Sequence, residues 1–287
     1  METRNFLKIG IVGAGQMGSG IAQVCATAGY PVLLCDVQKE ALDRAKKSIT
    51  SSLEKLTSKG VIVPEVGQQA LNHISFVPYI QDLQSCDLVI EAVNENLNLK
   101  GKILGELDKI LSPESIIASN TSSISITKLG QLTQRPDRVI GIHFMNPVPL
   151  MKLVEIIVGL KTDAQVLQRT LLFCQSLGKE TVQSKDYPGF IVNRILMPMI
   201  NEAFEALKES VATPDDIDRG MKLGTHQPMG PLALADFIGL DTCLSILEVM
   251  HQGLGDPKYR PSPLLRQYVE AGLLGRKVKH GVYRYES

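Results

Sequence analysis

The chain has 287 residues, which is long for a single core, so one large and one smaller domain are expected. Its hydrophobic content of 44% supports sizeable cores. Thirty basic residues balance thirty acidic ones, so the net charge gives no reason to expect binding to nucleic acid or to an anionic membrane. Five scattered cysteines without CxxC or CxxH spacing argue against zinc and a disulfide framework, and they favour a reducing compartment.

The first half of the sequence alternates strand-like and helix-like segments. The segment that leads into the apolar run before Gly13 lacks the apolar core of a signal peptide. No apolar run reaches the roughly 18 residues of a membrane helix, so we expect a cytoplasmic protein. Helices are predicted over residues 16–28, 38–59 and about 97–111. The predicted strands have the sequences LKIGIVGAG, YPVLLCD, HISFV, CDLVIEAV, ESIIASN, RVIGIHF and MKLVEIIV. This alternation predicts an α/β fold with a Rossmann-type, doubly wound, mostly parallel sheet and helices on both faces.

The pattern changes near residue 186, beyond which almost no strand signal is found. Helices are predicted over residues 189–209, 214–222, 231–252 and 263–272, and Pro198 is expected to kink the first of them. The sequence therefore predicts a Rossmann-type domain over residues 1–186, followed by a smaller all-α domain over residues 187–287.

The hexapeptide GAGQMG has the G-x-G-x-x-G spacing and stands between a predicted strand and a predicted helix. Its first glycine allows a tight turn, its second leaves room for a pyrophosphate, and its third lets the helix pack closely. Asp36, 21 residues after Gly15, ends the next strand, where it can bond both ribose hydroxyls and repel a 2′-phosphate. The pattern predicts NAD binding, and the alternative is an ordinary βα turn without a ligand. The predicted loop contacts are Gly13, Ala14, Gly15, Gln16, Met17 and Gly18.

FAD-binding domains share this fingerprint, so the glycines alone do not identify the cofactor. Small polar residues follow the fourth and fifth predicted strands, in EAVNEN and SNTSS. The carboxyl ends of these strands should lie at the crevice where open α/β sheets bind ligands. Such residues suit a nicotinamide ribose, a carboxamide and a small substrate, so they favour NAD.

His143 and Glu155 stand at the two ends of the segment HFMNPVPLMKLVE. Oxidation of an alcohol by hydride transfer needs a base for the hydroxyl proton, and histidine suits that task at neutral pH. If residues 146–149 form a turn, the flanking strands bring Glu155 back beside His143, where its carboxylate fixes the tautomer and stabilises the imidazolium. The alternative is a strand-end histidine bonded to a backbone carbonyl and an edge-strand glutamate that faces water.

Seven motifs occur in the order found in the L-3-hydroxyacyl-CoA dehydrogenases: GAGQMG, EAVNEN, SNTSSISI, GIHFMNPVPLMKLVE, DYPGFIVNR, MKLGTHQPMGP and FIGLDT. The chain resembles the short, monofunctional members of that family over essentially its whole length. The resemblance implies NAD-dependent interconversion of an (S)-3-hydroxyacyl-CoA, expected to be 3-hydroxybutyryl-CoA, and a 3-ketoacyl-CoA. It also implies an acyl-CoA thioester as the binding partner and a homodimer formed through the C-terminal helical domain.

The resemblance further implies roles for single residues. His143 would be the catalytic base and Glu155 its partner. Ser122 would bond the substrate's 3-oxygen or the nicotinamide side, and Asn193 would orient the reacting carbonyl group from the second domain. The implied cofactor contacts are Asp36, Glu95, Lys100, Ser122, Asn146 and Lys277. The implied coenzyme A contacts are Ser52, Lys59 and Ser122.

Several alternatives remain open from the sequence. Relatives act on 3-hydroxyadipyl-CoA, and a related branch, of the gulonate 3-dehydrogenase type, oxidises a free sugar acid without coenzyme A. Ser122 and its neighbour Ser123 could instead cap a helix. A nucleotide-binding protein that kept the fold and lost catalysis is a further alternative. The presence of both His143 and Glu155 argues against it.

Overall fold

The structure, a computed structural model, describes residues 6–286. Contacts divide the chain into two compact units, Met1–Tyr187 and Pro188–Ser287, here called the N-terminal and the C-terminal unit. The break lies one residue beyond the boundary expected after residue 186. Across residues 6–286, no helix is both long enough and apolar enough to cross a membrane.

The N-terminal unit is built on an eight-stranded sheet with the order β3-β2-β1-β4-β5-β6-β7-β8. Its strands are β1 (Ile9–Val12), β2 (Val32–Cys35), β3 (Ile74–Val77), β4 (Leu88–Glu91), β5 (Ile116–Ser119), β6 (Val139–Phe144), β7 (Leu153–Val158) and β8 (Glu180–Lys185). All neighbouring strands are parallel except β6 and β7, which are antiparallel. The mostly parallel, Rossmann-type sheet predicted from the sequence is confirmed. The strand order reverses between β1 and β4, and ligands bind at such a point in this fold class.

Helices connect most of these strands. They are α1 (Gln16–Thr27), α2 (Lys39–Ser58), α3 (Pro64–Asn72), α4 (Leu97–Ile110), α5 (Ile126–Gly130) and α6 (Ala164–Ser176). The predicted ends of α1, α2 and α4 agree with the structure to within one residue. Four elements have no counterpart in the sequence prediction: α3, α5, α6 and β8. The reason is clear for β8, whose sequence ETVQSK is polar and largely exposed, so it lacks an apolar signal.

The core of this unit follows from the apolar strands and from one face of each helix. Strands β1, β4 and β5 are buried along their whole length, as expected for parallel strands in the middle of a sheet. Helix α2 buries the stripe that its sequence period predicts, which comprises Ala41, Leu42, Ala45, Ile49 and Leu53. Polar residues that follow the buried strands are therefore held on rigid supports.

The C-terminal unit is helical. Its helices are α7 (Val192–Lys208), α8 (Pro214–Gly224), α9 (Pro231–Ile238), α10 (Leu240–Leu254) and α11 (Pro263–Glu270). The single helix predicted over residues 231–252 is wrong, because the chain breaks at Gly239, whose φ of 105° is incompatible with a continuous helix. Two buried carboxylates anchor α9 to other parts of this unit: Asp218 accepts from the Leu232 N–H at the start of α9, and Asp236 accepts from the Val282 N–H.

Candidate active site

The glycine loop joins β1 to α1 beside the point where the strand order reverses. Gly13 has a φ of 104°, and a Cβ there would lie 2.7 Å from the carbonyl oxygen of Ala92. A Cβ on Gly18 would overlap the carbonyl oxygen of Gly13, so α1 packs against the loop at a distance that only glycine allows. A Cβ on Gly15 would meet no atom within 4 Å, so the space above this residue is open.

The start of α1 can bind an anion. Gly15 is its N-cap residue, and among the described residues no side chain accepts from the first N–H groups and no acid lies in the first turn. Unpaired N–H groups and the positive end of the helix dipole favour a phosphate at such a terminus. The open space over Gly15 and these N–H groups together fit a pyrophosphate.

Two polar side chains frame the glycine loop. Asp36 follows β2 directly, and its Oδ2 accepts a hydrogen bond from the Ala14 N–H at 2.8 Å. An acid at this place in a Rossmann-type fold is positioned to read a ribose. Gln16 Nε2 donates to Asn146 Oδ1 at 3.1 Å, so the segment after β6 also reaches the loop. Met17, the remaining loop residue, packs partly buried against the core.

A cavity of about 1000 Å³ runs along this loop within the N-terminal unit. Its lining includes residues 13–16, Asp36 and Asn146, and it extends along α2. There Arg44, Ser48 and Ser52 line it at intervals of four residues, which places them on one face of the helix. The cavity therefore joins the predicted dinucleotide contacts to Ser52, one of the two predicted coenzyme A contacts on α2.

Glu95 organises a turn of hydroxyl residues after β5, here called the serine turn (Thr121–Ser123). Its Oε1 accepts from Thr121 Oγ1 at 2.5 Å, from the N–H groups of Ser122 and Ser123 at 2.9 and 3.0 Å, and from Ser123 Oγ at 2.9 Å. Partial burial raises the pKa of the Glu95 carboxyl, but the Lys100 ammonium and the hydroxyl hydrogen bonds outweigh that effect, so its pKa lies below the ordinary value. Glu95 is therefore an anion that holds the serine turn.

Lys100 lies on α4 and is 1% exposed. Its Nζ is 2.7 Å from Glu91 Oε1, 3.2 Å from Glu95 Oε2 and 3.1 Å from the carbonyl oxygen of Val93. Three protein acceptors thus match the three N–H groups of an ammonium. Lys100, implied as a cofactor contact by the resemblance, is engaged by the protein itself in this structure.

His143 and Glu155 face each other on neighbouring strands. They are partners in the antiparallel register of β6 and β7, and the Nδ1 of His143 lies 2.7 Å from the Oε2 of Glu155. The glutamate side chain is 0% exposed and the histidine side chain 10% exposed. A hydrogen bond between Nδ1 and a carboxylate fixes the tautomer that carries its proton on Nδ1, which makes Nε2 the basic nitrogen. The pair can accept and return one proton.

The comparisons with known proteins cover both units. The NAD binding domain of 3-hydroxyacyl-CoA dehydrogenase matches residues 8–187, and the C-terminal domain of 3-hydroxyacyl-CoA dehydrogenase matches residues 189–285. The chain belongs to the 3-hydroxyacyl-CoA dehydrogenase family. The predicted family is therefore confirmed, and with it an NAD-dependent oxidoreductase whose cofactor is NAD.

Relatives of this 3-hydroxyacyl-CoA dehydrogenase match it over nearly the whole chain. It is 55% identical over 278 residues to the 3-hydroxybutyryl-CoA dehydrogenase of Bradyrhizobium diazoefficiens, covering 97% of this chain and 95% of that protein. It is 51% identical to the probable 3-hydroxybutyryl-CoA dehydrogenase of Bacillus subtilis, covering 97% of each. The crystal structure of (S)-3-hydroxybutyryl-CoA dehydrogenase from Ralstonia eutropha shares 50% identity and a TM-score of 0.95, covering 98% of this chain and 100% of that chain.

Three residues that the resemblance implies are not among the groups described above. Lys59 is the exposed C-cap residue of α2 and is outside the cavity lining. Asn193 is buried at the start of α7 in the C-terminal unit. Lys277, in the same unit, forms an ion pair with Asp241. Their roles stay predictions.

Other residues near the site escaped the sequence reasoning. Glu91 ends an apolar strand and gave no separate signal, although it is the carboxylate closest to Lys100. Asn120 accepts from the Phe144 N–H at 2.9 Å and so ties the end of β5 to the residue after His143. Lys179 donates to the carbonyl oxygens of Val148 and Met151, at 2.6 and 2.7 Å, and so holds the loop between His143 and Glu155. A lone acid at the end of an apolar run is the signal that could have identified Glu91, whereas Lys179 lies in a polar segment and gives no such signal.

Proposed function

We propose that the protein catalyses the NAD-dependent interconversion of (S)-3-hydroxybutyryl-CoA and acetoacetyl-CoA. The names of its relatives support this substrate, since proteins at 55% and 50% identity over nearly the whole chain are 3-hydroxybutyryl-CoA dehydrogenases. The observation that carries the reaction type is the hydrogen bond of 2.7 Å between His143 and the fully buried Glu155.

His143 acts as the base in the oxidation direction. The substrate hydroxyl gives its proton to Nε2 of His143 while the C3–H bond breaks and the C3–O double bond forms. NAD, when bound, supplies the acceptor or the donor of the hydride exchanged with C3. The imidazolium formed is stabilised by Glu155, which stays ionised throughout. In the reduction direction, the protonated His143 donates its proton to the keto oxygen, and C3 receives the hydride.

The remaining predicted residues bind and orient in this proposal. The glycine loop, Asp36 and Asn146 hold the cofactor, and Ser122 bonds the substrate's 3-oxygen or the nicotinamide side. Support for these roles comes from the open space over Gly15 and from the hydrogen bond between Asn146 and Gln16. Ser52 and Lys59 contact coenzyme A, Asn193 orients the carbonyl group, and Glu95 and Lys277 complete the cofactor contacts.

The substrate assignment is tested with purified protein and NADH. The oxidation of NADH is followed with acetoacetyl-CoA, with a longer 3-ketoacyl-CoA, with 3-ketoadipyl-CoA and with free keto acids. We expect rapid turnover of acetoacetyl-CoA and little or none of the free acids. Turnover of a free acid without turnover of any thioester would overturn the proposal in favour of a sugar-acid dehydrogenase. A preference for 3-ketoadipyl-CoA would keep the reaction and replace the substrate.

The proton-transfer assignment is tested with His143→Ala. Because the base acts in the transition state, we expect kcat to fall by about 10² or more, with NADH affinity nearly unchanged. A matched control is His73→Ala, since His73 lies in the same unit and its Nδ1 contacts the backbone carbonyl of Ala26 rather than a carboxylate. A kcat for His143→Ala within about tenfold of the wild type would remove His143 from the mechanism.

The homodimer and the cytoplasmic location stay predictions. The C-terminal unit exposes several large apolar side chains, among them Ile195, Val211 and Leu223 at 69%, 70% and 75% exposure. Large apolar side chains at the surface can contribute to a protein interface, and we propose that those of this unit form the dimer contact. Light scattering coupled to size-exclusion chromatography gives the mass of the species in solution. A monomer at micromolar concentration would contradict the prediction.

A further inference from the structure

Three charged side chains form a continuous chain of contacts from the sheet to the serine turn. Glu91, at the end of β4, is 0% exposed and accepts from Lys100 Nζ at 2.7 Å, from Ser119 Oγ at 2.6 Å and from the Val93 N–H at 2.7 Å. Lys100 in turn reaches the second oxygen of Glu95 at 3.2 Å. All of these contacts lie within the N-terminal unit.

This series of contacts ends at the serine turn. Its backbone N–H groups at Ser122 and Ser123 donate to Glu95 Oε1, and Ser122 Oγ lies 3.2 Å from the same oxygen. Oε1 therefore faces the turn while Oε2 faces Lys100. A shift of the lysine would turn the carboxylate, and the two amides would lose their acceptor.

We infer that Glu91 and Lys100 are positioning residues, which hold the Glu95 carboxylate against the serine turn and so fix the place of Ser122. The inference rests on the proposed function only in giving Ser122 a place at the substrate. It replaces a direct cofactor contact of Lys100 with an indirect role, because the ammonium already has three protein acceptors. None of the hydrogen bonds described for Glu91 reaches the serine turn, so its role in the reaction is indirect.

The isosteric variant Glu91→Gln isolates the charge of this residue. A glutamine carbonyl can take the place of Oε1, accepting from Lys100 and from the Val93 N–H. Its amide group can take the place of Oε2 and donate to Ser119, whose hydroxyl reverses its role. The variant therefore keeps the hydrogen bonds and removes one buried negative charge.

Two variants separate positioning from simple stability. Lys100→Met removes the ammonium and leaves Glu91 as an uncompensated buried charge, so the protein should lose stability. Adding Glu91→Gln removes that charge, so the double variant should recover most of the lost melting temperature. Neither protein has a cation to hold Glu95. If the pair only stabilises the fold, the double variant regains activity; if it positions Ser122, the double variant stays impaired.

Three readouts are measured on the full chain: kcat and KM with acetoacetyl-CoA, NADH affinity by fluorescence, and amide hydrogen exchange of the peptide covering the serine turn. For the double variant we expect kcat about tenfold below the wild type or lower, NADH affinity within about threefold, and exchange at the turn faster by about tenfold or more. Hydrogen exchange needs no turnover, so it tests the inference even when the proposed substrate is not converted.

The matched control is Asp108→Asn. Asp108 lies near the other end of α4, where it pairs with Arg135 at 2.6 Å, so its loss weakens an ion pair on the same helix. We expect it to lower the melting temperature and to leave kcat and the exchange of the serine turn unchanged. Recovery of wild-type kcat by the double variant, or unchanged exchange at the turn, would overturn the inference. A loss of NADH affinity of about tenfold with unchanged exchange would restore Lys100 as a direct cofactor contact.

Discussion

The substitution Glu155→Gln tests whether the buried carboxylate supports proton transfer. The Glu155 side chain is 0% exposed, and its Oε2 lies 2.7 Å from the Nδ1 of His143. Glutamine has nearly the same volume, so the packing between β6 and β7 should survive. The substitution removes the negative charge that faces the imidazole. Its effect should therefore appear where the imidazole becomes charged, which is the transition state of the proposed reaction.

The magnitude follows from the type of hydrogen bond that is lost. A hydrogen bond to a charged group contributes about 1.5–3 kcal/mol. Because each 1.36 kcal/mol in the barrier changes a rate tenfold, kcat should fall by about 10- to 100-fold. This is a lower limit, since the glutamine amide can turn its NH₂ group towards Nδ1 and impose the tautomer with its proton on Nε2, which cannot act as the base.

The assay measures kcat and KM in the oxidation direction, with (S)-3-hydroxybutyryl-CoA and NAD, and, separately, NADH affinity by fluorescence. We expect the loss in kcat with KM and NADH affinity within about threefold of the wild type, as for an interaction made only in the transition state. Glu180→Gln is the control, because Glu180 is an exposed glutamate on β8, the strand beside β7. A kcat for Glu155→Gln within about threefold of the wild type would refute the reasoning, as would an equal loss for the control.

Three further predictions concern the supports of the site. Asp36→Ala should relax the preference for NADH over NADPH, measured as the ratio of kcat/KM for the two cofactors; an unchanged ratio would mean that this acid does not read the ribose. Gly15→Ala should weaken NADH binding with little loss of melting temperature, because a Cβ there meets open space, whereas Gly18→Ala should lower the melting temperature, because its Cβ overlaps the Gly13 carbonyl. Burial lowers the pKa of Lys179 below its ordinary value, so the folded protein binds fewer protons than the unfolded chain between the two pKa values. The unfolding free energy of the wild type should therefore rise relative to that of Lys179→Met as pH increases towards the unfolded pKa, measured by urea denaturation; no change in the difference would contradict this.

The parts of the site that the sequence predicts are those with a short local signal. The glycine loop and Asp36 lie within one strand–helix–strand unit, so their spacing alone places them together, and the structure brings the Ala14 N–H to Asp36. His143 and Glu155 are twelve residues apart on two apolar strands, and the antiparallel register pairs them once the turn is assumed. The geometry of these groups was therefore accessible from the chain, although their catalytic roles still require the experiments above.

The parts that the sequence does not predict depend on packing between distant elements. Glu91 reads as the end of a buried strand, and its pairing with Lys100 appears only when α4 folds back over the sheet. Lys179 precedes β8, a polar edge strand without an apolar period, so neither this strand nor the contact of the lysine with the turn after His143 was predicted. The partners of these two residues are set by tertiary structure and not by local spacing. For Glu91, a charged residue at the end of an apolar run is the remaining clue.

The two buried carboxylates on this sheet, Glu91 and Glu155, face different partners. This difference underlies the different roles that we propose for them. Glu91 lies 2.7 Å from the Nζ of Lys100, and both side chains are buried, so the contact holds a fixed geometry. Glu155 faces an imidazole, which in the proposed mechanism becomes charged when it takes the substrate's proton. In that mechanism the negative charge of Glu155 is in place before the cation forms, because the pairing of β6 and β7 holds the two side chains together. A charge fixed in advance where an opposite charge will develop costs no reorganisation during the reaction, and for this reason we propose the His143–Glu155 pair for proton transfer and the Lys100–Glu91 pair for positioning.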